Sequence, residues 1–274
     1  MDLIRNGKTP LLVAHRGVTG GNIPSNSEAA FRAAISLGAD VVELDVSLSR
    51  SGSLFVFHPG MEPAHIGTKK LLWVRSDKSI GKLRYRNGDH TKTSQPVLTL
   101  DDALELLRGH CMVNLDKFWT APNAIADCVR RHGMADDVLI KTGTTEHDLR
   151  RVEETAPDMR FLAIVREKDD VSQSLRGRRL RFAGIEALFR SDDAPVVSDD
   201  HIAWLHQNGL CIWGNAIVYD ERAVIAGTHT DDTAVTGDPD TGWGWYQKKG
   251  FDLVQTDHLA AVKAYFERQN HDDV

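Results

Sequence analysis

The sequence predicts a single α/β domain, a (β/α)8 barrel of the TIM type. Three observations carry this. Short apolar runs rich in Val, Ile and Leu alternate with stretches whose apolar residues recur at helical spacing, eight such runs can be counted, and the 274 residues are close to the roughly 250 of one such barrel. The predicted strands are Leu11 to His15, Val41 to Val46, Met112 to Asp116, Val138 to Lys141, Phe161 to Val165, Ala183 to Leu188, Cys211 to Asn215 and Asp252 to Thr256.

Helices are expected between them at Ser27 to Leu37, Leu100 to Leu107, Ala121 to His132, Glu146 to Glu154 and Asp199 to Asn208, with a last one at Ala260 to Arg268. Ser27 suits an N-cap because its hydroxyl can satisfy an orphan amide of the first turn. Gly38 supplies the left-handed residue that stops a helix. The weakest unit lies between Glu167 and Gly184, where Arg and Ser dominate. One segment breaks the repeat: after a short extra strand, Leu54 to His58, an element-poor insertion follows the second barrel strand from Pro59 to Gln95 (59–95) within the single 1–274 domain. Between Lys69 and Lys92 it holds eight Lys or Arg against Asp77 and Asp89, an anion-attracting surface or a solvated mobile loop.

Hydrophobic residues at 41% and charged residues at 26% describe a chain able to bury a sizeable core. A formal net charge of −6 argues against a nucleic-acid binder, so any phosphate recognition must be local. Cys111, Cys128 and Cys211 are far apart in apolar stretches and read as reduced, buried thiols. The charged start of the chain and the lack of any long apolar run lead to the expectation of a cytoplasmic protein with no stable membrane anchor; nothing bears on oligomeric state.

The chemistry concentrates at strand ends. Val13 to Gly17 ends a strand in an imidazole and a guanidinium, His15 and Arg16, and the carboxyl ends of barrel strands form the active face. His15 can shuttle a proton near neutral pH, and Arg16 can grip two phosphate oxygens. In Val41 to Val46, Glu43 and Asp45 are two apart and so point to one side of the strand. Two inward carboxylates repel unless a cation sits between them or one is protonated or paired with a lysine; oxygen ligands suit Mg²⁺ or Ca²⁺. Leu54 to Gly60 delivers a second histidine, His58, so that two imidazoles flank a carboxylate pair, an arrangement for acid and base partners around a metal-bound phosphate.

These motifs, in order, resemble the glycerophosphodiester phosphodiesterase family, whose barrel is of the phospholipase C-like phosphodiesterase type. The resemblance rests on His15 to Gly17, Asn26 with Ala30 and Phe31, Gly38 to Asp40, Glu43 to Val46, His58, Trp213 to Asn215, and Gly250 to Asp257. It implies a small-molecule glycerophosphodiester substrate, His15 and His58 as the acid–base pair, and a divalent cation (Mg²⁺ or Ca²⁺, with Mn²⁺ a third choice) on Glu43, Asp45 and a third acid. Asp116 stands at that third place, one methylene shorter than the usual Glu.

Other positions depart from the family pattern. Phe118 stands where many relatives have lysine. Alternation turns Lys117 away, which leaves Lys141 to supply the ammonium as a phosphate ligand beside Arg16. Pro59 and Ser25 replace an Asp and a Glu. A Gly-, Asp- and Trp-rich loop, His229 to Thr233 and Asp238 to Trp245, precedes the last strand; Trp213 and Trp243 read either as an aromatic wall for the departing alcohol or as packing. Alternative readings are a related phosphodiesterase for lysophospholipid, sphingolipid or sugar diesters, a non-catalytic phosphoryl-binding barrel, and a carboxylate-pair glycosidase, which leaves the histidines idle.

Overall fold

The computed structural model describes residues 2–5, 8–219 and 222–272. Eight parallel strands close into a barrel: β1 (Leu11–His15), β2 (Val41–Leu48), β6 (Met112–Asp116), β7 (Val138–Thr142), β8 (Arg160–Arg166), β9 (Arg181–Leu188), β10 (Cys211–Asn215) and β11 (Leu253–Thr256), with β11 returning to β1 and β1 pairing β2. All eight expected strands are present. The extra strand, β3 (Leu54–Val56), runs antiparallel to the end of β2.

The helices α1 (Glu28–Ser36), α4 (Leu100–Leu107), α5 (Pro122–Arg131), α6 (Glu146–Thr155), α8 (Asp199–Gln207) and α11 (Leu259–Asp272) fall where the apolar spacing places them, and the difficult unit contains one turn, α7 (Ser172–Leu175). The Ser27 hydroxyl accepts from the Ala30 amide at 3.2 Å, and Gly38 takes φ +71 beyond the helix. The described helices include none long and apolar enough to cross a membrane.

The insertion is not element-poor. It folds into α2 (Glu62–His65), α3 (Asp77–Ile80) and a hairpin of β4 (Arg84–Arg86) and β5 (Lys92–Pro96) around Phe55, Phe57, Ile66, Leu72, Ile80, Tyr85 and Val97. Burying Tyr85 fully is tolerable because its hydroxyl donates to the Val56 carbonyl at 2.7 Å. Its cationic spacing hid this, since the apolar anchors are single residues several positions apart. Between β10 and β11 lie α9 (Asp231–Thr236), a π-helical turn (Asp240–Gly244) and α10 (Trp245–Lys249).

The inward stripes of the strands explain how this barrel can be both packed and chemical. At the floor, Leu11, Val13, Val41, Met112, Leu139, Leu162, Cys211, Trp213 and Leu253 pack with Leu3 into one apolar cluster. Moving two residues along each strand keeps the same face, so the next inward positions are His15, Glu43, Asn114, Lys141, Asn215 and Gln255, joined by Glu186 of β9, with β8 alone contributing an apolar group, Ile164. The interior thus changes from hydrocarbon to mostly polar and charged groups within one rung. A larger core lies between the outer strand faces and the helices.

Candidate active site

The register puts Glu43 opposite Asn114 and Asp45 opposite Asp116, while His15 faces Glu43 across the β1–β2 pair. Oxygens of Glu43, Asp45 and Asp116 all lie within 4.8 Å of one another. Asp45 is fully buried, and its Oδ1 has no hydrogen-bond partner; Oδ2 accepts from Asn26 Nδ2 at 2.8 Å and lies 2.9 Å from Arg16 Nε. Burial and the neighbouring Asp45 push Glu43 up to about 7. Burial acts on Asp116 in the same sense, yet Lys117 and Lys141 hold it below its usual range. Three converging carboxylates with an orphaned buried oxygen and no nitrogen or sulfur donor fit a hard divalent cation.

His58 reaches the trio through the antiparallel return of β3, because the Phe57 amide donates to the Asp45 carbonyl at 2.9 Å. Its Nδ1 lies 2.9 Å from the Pro59 carbonyl, an acceptor only, so Nδ1 carries the hydrogen and Nε2, 3.9 Å from Asp45 Oδ1, keeps the lone pair. Burial pushes His58 below its ordinary value, opposed by Asp45 and assisted by Arg16 and Lys117. His15 Nδ1 is held 2.9 Å from Asp257 Oδ1. The same logic frees its Nε2.

Asp257 is aimed by the loop before β11. Asp231, 2% exposed, accepts from Trp243 Nε1, Thr256 Oγ1 and the Asp257 amide, each at 2.7 Å. Sequence reasoning placed Thr256 and Asp257 in a motif without a role for either, and it passed over Asp231. Their signal was a carboxylate just beyond the last strand, which the barrel returns beside the first.

The aromatic wall is corrected. Trp213 is fully buried in the barrel floor, Trp243 is 3% exposed and serves Asp231, and neither lines the cavity. Trp213 points inward one rung below the polar layer and Trp243 lies in the π-helical turn, so both indoles pack; the aromatics that do line the mouth are Trp119 and Tyr219, from segments beyond strand ends. The orientation of Lys117 is also corrected. The strand ends at Asp116 and Lys117 adopts φ +62, so alternation no longer applies and its Nζ swings back to 2.7 Å from Asp116 Oδ2 and 3.9 Å from Asp45 Oδ1. Lys141 does line the cavity, but its Nζ is 3.0 Å from Glu186 Oε1 and 4.2 Å above the Trp213 ring. Asn215 Nδ2 donates to the same oxygen at 2.8 Å. The cavity, about 590 Å³, runs from Glu43, His58 and Asp116 across the mouth to β8 and β9.

A family model described only as a domain of unknown function matches residues 161–266. A glycerophosphodiester phosphodiesterase of Caldanaerobacter subterraneus subsp. tengcongensis is 52% identical over 48 residues, 18% of this chain and 19% of the relative. One from Bacillus altitudinis is 32% identical over 111 residues, 38% of this chain and 44% of the relative. The alignments thus span less than half the length of these curated relatives. Among solved structures, a glycerophosphoryl diester phosphodiesterase of Parabacteroides distasonis superposes with a TM-score of 0.78 at 16% identity, covering 97% of this chain and 89% of that one. An Oleispira antarctica phosphodiesterase in complex with the product sn-glycerol-3-phosphate superposes with a TM-score of 0.70 at 17% identity, covering 94% and 97%. These two likenesses bear on the fold alone. In its barrel and in the ordered motifs that bring these carboxylates and imidazoles to the mouth, the chain resembles the glycerophosphodiester phosphodiesterase family.

Proposed function

We propose that the protein is a metal-dependent phosphodiesterase that hydrolyses glycerophosphodiesters to glycerol 3-phosphate and an alcohol. The observation that carries this reading is the carboxylate trio with its unpartnered Asp45 Oδ1, set between two imidazoles whose Nδ1 atoms are already engaged. Glu43, Asp45 and Asp116 would hold the cation. When bound, it supplies positive charge against the phosphodiester oxygens. Similarity to proteins named for this activity supports the choice of substrate class.

Arg16 and Lys117 add fixed positive charge beside the trio, where negative charge grows on the phosphoryl oxygens in the transition state. Lys141 contributes from the far side, restrained by Glu186. His15 Nε2 takes the proton of the attacking hydroxyl, with Asp257 fixing the ring's tautomer and tilt. His58 enters the reaction as the imidazolium, which the neighbouring Asp45 favours, and its Nε2–H protonates the departing alkoxide, a poor leaving group without that proton.

The test is a panel of glycerophosphodiesters offered to EDTA-stripped protein, with Mg²⁺, Ca²⁺ or Mn²⁺ restored singly. Turnover is expected only with a restored ion, alongside a rise in melting temperature on ion binding that Asp116→Ala abolishes. Activity unaffected by chelation sinks the metal, and failure to cleave any diester under all three ions sinks the function.

A further inference from the structure

We propose that the β8–β9 side of the cavity is a second anion subsite, which takes a negatively charged alcohol moiety of the diester. This rests on the reading of the site as a phosphodiesterase centre and specifies its substrate class. In the closed ring β9 stands opposite β2, so this wall faces the carboxylate trio across the mouth. The register pairs Ile164 with Glu186 and Arg166 with Leu188, so the cavity side carries Ile164 then Arg166 on one strand and Glu186, Leu188, then Arg190 along and beyond the next.

The charges do not cancel there. Lys117 is engaged by Asp116, and Lys141 by Glu186. Arg190 meets Glu167 only at 3.9 Å, and Arg166 forms no ion pair among the described residues. Two exposed arginines would ordinarily be a solvated rim. Here they stand over an apolar shelf of Ile164, Leu188, Ile217 and Ile225, inside a concavity, on a chain whose net charge is −6. A guanidinium fork in that setting matches carboxylate or phosphate oxygens in pairs.

The glycerol arm of a glycerophosphodiester carries no charge, so the anion must belong to the other alcohol, as a phosphate monoester or carboxylate. A quaternary ammonium alcohol would face these guanidinia, and the Trp119 ring available to stack on it already has the Lys117 ammonium 5.3 Å from its centroid.

The experiment compares three diesters: glycerophosphocholine, glycerophosphoglycerol, and glycerophosphoglycerol carrying a terminal phosphate monoester. Wild-type kcat/KM is expected to favour the anionic diester over the choline diester by roughly tenfold or more at low salt, the effect of one charge-assisted contact, and the ratio should shrink as NaCl is raised. In Arg166→Ser/Arg190→Ser, or Arg190→Ser alone where the double variant folds poorly, the ratio should fall toward one. Calorimetric affinities of the same diesters for His15→Ala, which needs no turnover, should follow the same order. That binding order without cleavage by the wild type would refute the proposed reaction and still support the subsite. Equal or tighter binding of the choline diester, or an anionic preference that survives removal of both arginines, overturns it.

Discussion

At the residue scale, His15 and His58 have the same local arrangement from different partners: a carboxylate holds one Nδ1 and a peptide carbonyl the other. The division of roles is open to a kinetic test. A nitrophenolate leaving group needs no proton, so His58→Ala should approach wild-type turnover on a nitrophenyl phosphodiester while His15→Ala stays at least about 100-fold down. Recovery of both variants, or of neither, rejects the division. The two lysines separate in a similar way. Lys117→Met removes an ammonium beside Asp45 and Asp116 and should lower kcat by roughly 100-fold with little change in melting temperature. Lys141→Met leaves the buried Glu186 carboxylate without its cation, and should cost about 3 kcal/mol of stability in urea titrations. A stable Lys141→Met with wild-type rates would remove that lysine from both fold and site.

At the scale of elements, two backbone positions decide whether strand ends and loops can approach. Gly17 sits at φ +81, and a Cβ there would lie 2.7 Å from the Ala30 backbone, so the turn after β1 passes α1 only because the side chain is missing. Gly17→Ala should lose about 2 kcal/mol or more, seen as a melting point roughly 4 °C or more lower, together with activity, because Arg16 precedes it. Gly184 lies where the β8–β9 register shifts, and a Cβ there would collide with the Cys211 carbonyl oxygen. A side chain there would pry β9 from β10, a larger effect than at Gly17. Strands and long helices were legible because each has an unbroken period. The short helices of the insertion and of the loop before β11 were not, since segments of four to six residues have too few turns to show one.

At the scale of the molecule, the barrel is tied shut beneath the site as well as at the mouth. Asp252, fully buried, accepts from the Arg5 and Ile212 amides at 2.6 and 2.9 Å and from His206 Nε2 at 2.9 Å, joining the N-terminal segment, β10, β11 and α8. The hydrogen bond to Asp252 raises the His206 pKa against the opposing effect of burial. A pKa raised on folding adds stability that is complete below the unfolded value, about 6.5, and is lost as pH climbs through the folded value. The melting-temperature gap between wild type and His206→Ala should therefore be widest near pH 5.5 and narrow toward pH 9. A gap that widens with pH would contradict this linkage.

Sequence by itself determined the eight strands, the shared face of Glu43 and Asp45, and the imidazole that ends the first strand, because a period of two is a local property of an extended chain; the family resemblance added Asp116, and His58 stands two residues beyond β3. Only the tertiary structure decided what lies beside what. Closure brings Asp257 to His15 across 242 residues, Glu186 claims Lys141 across 45, and a single left-handed residue turns Lys117 into the site that alternation denied it. Such contacts depend on where a ring of strands closes and where each one stops, and neither leaves a period in the sequence.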